Sequence, residues 1–125
     1  MATYQNGDRG SFQAGEELTG KRYQNVKLNS DGEAVLASAA TDAIIGVLDS
    51  EAKKGGTVEV VLINGQGTFK VKSAGAIAKD AFITSDANGQ AVATTTTGNR
   101  VIGRNLNAAA VTGEIFEYIK SNEKY

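Results

Sequence analysis

The side chains in this sequence with the most capacity for chemistry are carboxylates, and they gather in three places. Asp31 and Glu33 stand two positions apart, Asp49 and Glu51 repeat that spacing, and Asp86 lies in a second Asx-rich stretch. Paired carboxylates serve glycoside hydrolysis, and clustered ones hold hard cations. A hydrolytic site of that kind needs an aromatic-lined cleft, and this chain has only four Tyr, four Phe and no Trp. None of the carboxylates follows a calcium-loop spacing. Asp31 and Asp86 are expected to bond to neighbouring backbone inside turns.

Other routes to catalysis are closed by residue type. The chain has no His and no Cys. A neutral-pH imidazole shuttle, a Ser-His-Asp triad, a Cys-His pair and a zinc site are therefore excluded. Gly65-Gln66-Gly67 is the only G-x-G string, and it lacks the third glycine of a dinucleotide fingerprint. Gly20-Lys21 runs into Arg22 rather than Ser or Thr, so it is not a phosphate-binding loop. The reading is a non-enzyme with no catalytic residues, no metal ligands and no cofactors.

The elements that carry these residues read as strands. Fifteen glycines, no proline and many Val, Ile and Thr describe short strands joined by glycine turns. Thr68 to Lys72 alternates, with Phe69 and Val71 on one side and Thr68, Lys70 and Lys72 on the other. Thr57 to Ile63 is apolar on both faces, which predicts a central strand or one whose outer face meets a partner. Between them, Asn64-Gly65 has the chemistry of a tight turn, so residues 57–72 are expected to form a hairpin.

An internal repeat follows. Asp31-Gly32-Glu33-Ala34-Val35 is echoed by Asn88-Gly89-Gln90-Ala91-Val92, an offset of 57 from position 31 to position 88. The same offset relates Ala43-Ile44-Ile45-Gly46 to Arg100-Val101-Ile102-Gly103. Glu59-Val60-Val61 then matches Glu114-Ile115-Phe116 at 55, as though the second copy had lost two residues. The expected architecture is all-β, a small sandwich or barrel of about eight to ten short strands with a two-fold sequence repeat. Helix is limited to single turns in the loops Asp49 to Gly56 and Asn105 to Gly113. The repeat copies cover about 21–63 and 77–119 within one β domain, 16–120. An extended N-terminal arm (1–15) and a C-terminal tail (121–125) flank it.

The arm supplies the candidate contact residues. Tyr4, Arg9 and Phe12 punctuate a Gln/Asn/Gly-rich stretch, and aromatics and Arg are favoured anchors at interfaces. They are read as capsid-binding or subunit-interface residues once the resemblance below is added. The balance of charge is near neutral, with a formal net charge of −1 over 125 residues, and no basic stripe faces nucleic acid. No apolar run approaches the roughly 20 residues that span a bilayer. Met1 to Gly10 lacks the apolar region of a secretory signal. The absence of Cys suits synthesis in a reducing compartment.

From Thr41 to Ile119 the order of motifs resembles the phage capsid decoration proteins, also called head-stabilising or cement proteins. Gly46-Val47-Leu48 leads into Val58-Glu59-Val60 and then Gly65-Gln66-Gly67-Thr68-Phe69. Ala76-Ile77-Ala78-Lys79-Asp80-Ala81 precedes an acidic Asn-Gly turn, and Ile102-Gly103 with Leu106 and Ala108-Ala109 leads to the last strand. Met1 to Asn29 does not match the pattern. The resemblance implies a structural virion protein, made in the host cytoplasm, that sits on the outer surface of the assembled head. It further implies a homotrimer that clamps major capsid protein subunits. The alternative is a phage or bacterial surface module that binds carbohydrate or protein.

Overall fold

Local hydrogen bonding at two turns sets the repeat. Asn29 Oδ1 accepts the N–H groups of Asp31 at 3.0 Å and Glu33 at 2.9 Å. Asp86 Oδ1 accepts those of Asn88 and Gln90, both at 2.8 Å. Gly32 and Gly89 complete the reversals at φ 77° and 81°, where a Cβ would be strained. The residue that matches Asp86 is therefore Asn29. Asp31 was expected in that role, but it lies two positions on and donates its own amide.

In a computed structural model describing residues 7–107 and 111–125, strands extend from these turns. The first five are β1 (Arg9–Gln13), β2 (Asn25–Leu28), β3 (Ala34–Leu36), β4 (Gly46–Leu48) and β5 (Thr57–Leu62). The second five are β6 (Thr68–Lys72), β7 (Phe82–Ser85), β8 (Ala91–Ala93), β9 (Arg100–Asn105) and β10 (Ile115–Lys124). They form two five-stranded antiparallel sheets, ordered β1-β5-β4-β2-β3 and β6-β10-β9-β7-β8. Adding five to each strand number converts the first order into the second. Each sheet also curls until its two ends meet. Gly15 N–H donates to Ala34 O at 2.8 Å, and Ala74 N–H donates to Ala91 O at 2.9 Å. The all-β expectation holds, as a sandwich-like pair of curled sheets with no helix among the described residues.

The ladders revise two details of the sequence reading. Residues 57–72 are not a hairpin: β5 and β6 lie in different sheets. β5 already has β1 on one edge and β4 on the other, so neither edge is free for β6. Asn64 to Gly67 is the crossover between copies. The last strand also matches differently. Gly46 pairs with Leu62 and Gly103 with Lys120, so Leu62 corresponds to Lys120, an offset of 58 rather than 55. The second copy gained one residue and did not lose two. A shared clash explains the fixed register: a Cβ on Gly46 would lie 2.2 Å from Val61 O, and one on Gly103 would lie 2.0 Å from Ile119 O.

The chain outside the expected repeat is structured too. Arg9–Gln13 is an edge strand, with Gly10 opposite Val60 and Phe12 opposite Val58. At the other end, Glu123 and Lys124 pair with Val101 and Arg100 after a register shift, and Tyr125 N–H donates to Asn99 O at 2.8 Å. Tyr23 and Asp80, at φ 69° and 66°, occupy the same place in each copy. Their amides donate to Leu48 O at 2.7 Å and Asn105 O at 2.9 Å, which offsets part of the roughly 1–2 kcal/mol cost of that conformation.

Two apolar clusters fill the molecule. Leu18, Val26, Ala34, Leu48, Val58 and Val60 form the core of the first copy. In the second copy the cluster of Ile77, Ile83, Ile102, Phe116 and Tyr118 also includes Ala37, Ile44 and Val47 from the first. The outer side of copy one thus packs against the core of copy two.

Candidate interaction surfaces

The carboxylates singled out by type have structural partners. Asp49 takes both Arg9 and Arg22, the latter at 3.1 Å. Glu51 Oε1 accepts Gly20 N–H at 2.8 Å, and Glu33 Oε1 accepts Asn29 Nδ2 at 3.1 Å. Asp86 is spent on its turn. Among the described residues, three or more acidic side chains nowhere converge closely enough to hold a metal ion.

The three candidate contact residues have different fates. Tyr4 lies outside the described residues. Phe12 is half-buried against the first core. Arg9 reaches the surface from β1, ion-paired with Asp49 and 3.7 Å from Glu59, with its guanidinium 5.8 Å from the Phe69 ring centre. It joins a cluster that sequence reasoning missed. Arg22 lies 4.7 Å and Lys70 5.8 Å from the Tyr23 ring, and the Tyr23 and Phe69 rings are 5.9 Å apart. Apart from the adjacent pairs Arg22-Tyr23 and Phe69-Lys70, these residues are distant in sequence, so no local pattern announces them. Phe82 packs edge-on against Tyr125, with ring centres 5.6 Å apart. The surface-reaching rings among the described residues therefore already have partners within the chain, unlike the free ring faces of a sugar-binding groove.

Polar contacts tie the copies together. Asn25 donates from its backbone and its side chain to Gly89 O, at 2.6 and 3.1 Å, and Gln24 Nε2 donates to Asn88 O at 2.7 Å. Ala40 O accepts Arg100 N–H at 2.8 Å and the Thr84 hydroxyl at 3.3 Å. The loop that presents Ala40 is held by Asp42, which accepts the Ser38 and Ala39 amides and pairs with Lys27 at 3.0 Å. Burial alone would raise the Asp42 carboxyl. The Ser38 amide and the Lys27 ammonium outweigh it and hold the group below its ordinary value.

The outer faces of the two sheets can be compared row by row. In the first sheet, Arg9, Val61, Val47 and Asn25 are successive cross-strand neighbours. Val61, Val47 and Asn25 are 3%, 0% and 0% exposed. In the second sheet the equivalent row is Thr68, Ile119, Arg104 and Phe82. There Ile119 is 38% exposed, and so is Ile115 at 39%, four residues earlier on the same face. Shallow grooves flank β10 on this face, one beside Thr68, Lys70 and Ile115 and the other beside Arg104, Ile119 and Phe82.

A family model described as phage cement protein matches residues 12–119. It extends the sequence resemblance, read from Thr41, back to Phe12 and takes in the last two residues of β1. Among solved structures, the chain is similar to the crystal structure of the head fiber gp8.5 N base in bacteriophage phi29. The TM-score is 0.71 at 18% identity, covering 94% of this chain and 96% of that one. At that identity the likeness bears on the fold. No curated protein matches the chain.

Proposed function

This chain belongs to the phage cement protein family, and from that premise we propose that it binds the outer surface of an assembled phage head as a homotrimer. There it stabilises the shell by clamping neighbouring major capsid protein subunits. The observation that carries this reading is the family match across residues 12–119, which takes in β2 to β9 whole and parts of β1 and β10. The body also suits the task, because two curled sheets locked by matching glycine contacts and a polar seam give a stiff object with distinct faces.

No catalysis is required of such a protein. Binding to the assembled shell, and not to its dissociated parts, adds about 2.7 kcal/mol per site at a free concentration of 100 Kd. Three linked copies hold by effective concentration even where each contact is weak. Tyr4 and Arg9 are proposed as capsid-binding or subunit-interface residues, whereas Phe12, grouped with them by type, is turned toward the first core. Synthesis is proposed to occur in the host cytoplasm, and the chain lacks the imidazole and thiol side chains that most often respond to mild pH or redox change.

Co-sedimentation of the purified full chain with heads that lack it tests the reading. Saturable binding and a raised melting temperature of the heads are expected. Failure to bind mature heads would overturn it.

A further inference from the structure

The two halves of the chain differ in charge. Residues 1–63 hold six of the thirteen Lys and Arg and nine of the fourteen Asp and Glu, a balance of −3. Residues 64–125 hold the other seven and five, a balance of +2. The exposed apolar side chains divide along the same line. On the basic half, Ile115 lies opposite Lys72 and Ile119 opposite Arg104, with all four side chains on the outer face of the second sheet. Glu117, opposite Lys70, is exposed on that face between the isoleucines and accepts the Thr68 hydroxyl at 2.8 Å. Neither Lys72 nor Arg104 has a carboxylate within ion-pair distance among the described residues. On the acidic half, Leu28 is the one large exposed hydrophobic among the described residues, at 39%. It stands at the end of β2, where the chain enters the turn carrying Asp31 and Glu33.

We propose that the Ile115/Ile119 face of one subunit, where Lys70, Lys72 and Arg104 outnumber Glu117, receives the β2–β3 turn of a sister subunit, with Leu28 against the exposed isoleucines and Asp31 and Glu33 against the basic side chains. The inference rests on the homotrimer proposed above and names the surfaces that build it. Three features support a second copy as the occupant. The patches are opposite in net charge, each exposes large apolar side chains, and both belong to the same chain. Two different patches that join head to tail close into a ring when the rotation per subunit allows it, and a trimer is such a ring. The internal repeat gives a precedent, because the equivalent row of the first sheet is already buried against a second copy of the fold.

The test is a charge exchange read by sedimentation equilibrium of the full chain at micromolar concentration, with thermal melting as the folding control. The native chain is expected to be trimeric. Lys72→Glu with Arg104→Glu, and separately Asp31→Lys with Glu33→Lys, are each expected to weaken self-association by roughly 100-fold through like-charge contact. Combining all four is expected to recover the trimer. Ile115→Ser with Ile119→Ser gives a charge-neutral check and is expected to disperse the trimer with little change in melting. A double charge variant that stays trimeric, or a fourfold variant that stays dispersed, would overturn the inference. If the basic-face variant stays trimeric but no longer sediments with heads, that face meets the capsid, and the cement reading stands while this one falls. A monomeric native chain that still binds heads would remove the trimer and this inference together.

Discussion

The outer rows of the two sheets share one backbone geometry and opposite surroundings. Arg9, Val61, Val47 and Asn25 form one row, with its last three members buried. Thr68, Ile119, Arg104 and Phe82 form the other, which faces outward. A pivotal difference is Val47 against Arg104, each the residue immediately after its tight glycine. A buried valine contributes about 1.5–3 kcal/mol, whereas a guanidinium at the same depth would lack a partner for its charge. Identical folds therefore do not imply identical roles. The residues along a row, with Val47 against Arg104 the sharpest contrast, separate a face that forms an internal seam from one that stays exposed.

Exchanging the two residues gives the largest expected effect. Val47→Arg is expected to cost at least about 4 kcal/mol, a large share of the roughly 5–15 kcal/mol that stabilises a domain. Arg104→Val is expected to change stability by less than about 1 kcal/mol, since that side chain faces outward. Urea titration followed by circular dichroism measures both. Equal losses would mean that the two rows are not packed differently.

A second pair of substitutions tests what the copies share. Gly46→Ala and Gly103→Ala each drive a methyl into the carbonyl of the neighbouring strand, at 2.2 and 2.0 Å. Since backbone cannot yield as a side chain does, each is expected to cost about 3 kcal/mol, and nearly the same in both copies. If the Gly103 variant alone melted normally, β9 and β10 would not approach each other as β4 and β5 do.

The features legible in the sequence were those with local chemistry. The Asx-Gly turns at 31–32 and 88–89 revealed the repeat because a left-handed glycine leaves a mark in composition. The two-sided apolarity of β5 left a central strand or a covered outer face as alternatives, and the strand lies between β1 and β4 with Val61 buried. Where partners came from far away, sequence reading went astray. Asn64-Gly65 has hairpin chemistry, but nothing local shows that both edges of β5 are already occupied. The polar β1 lacked an apolar rhythm because an edge strand needs only Gly10 and Phe12 turned toward the core. The last strand was aligned by matching residue types, while its true register is set by the Gly103 contact with Ile119. Of the candidate contacts, Arg9 was visible as a type, but its pairing with Asp49 spans 40 residues and follows from packing alone.

The smallest expected effect concerns the cores themselves. Val60 and Tyr118 are equivalent, facing Gly10 and Phe69 across their ladders. The Tyr118 hydroxyl is buried with no hydrogen-bond partner among the described residues, and burial pushes its pKa up from 10.0. At neutral pH, Tyr118→Phe removes an unpaired polar atom and is expected to stabilise the protein by about 1 kcal/mol. In alkali the difference grows. Because the folded phenol keeps its proton above the pH at which the unfolded one loses it, its contribution is whole below pH 10.0 and declines as pH rises toward the folded value. The slope is about 1.4 kcal/mol per pH unit for one proton. Thermal melts between pH 9 and pH 12, run as a matched pair, are expected to show the native chain losing stability faster than Tyr118→Phe. Parallel curves would mean that this hydroxyl reaches water or a partner, so the second core would be less sealed by Ile44 and Val47 than the comparison of the two copies requires.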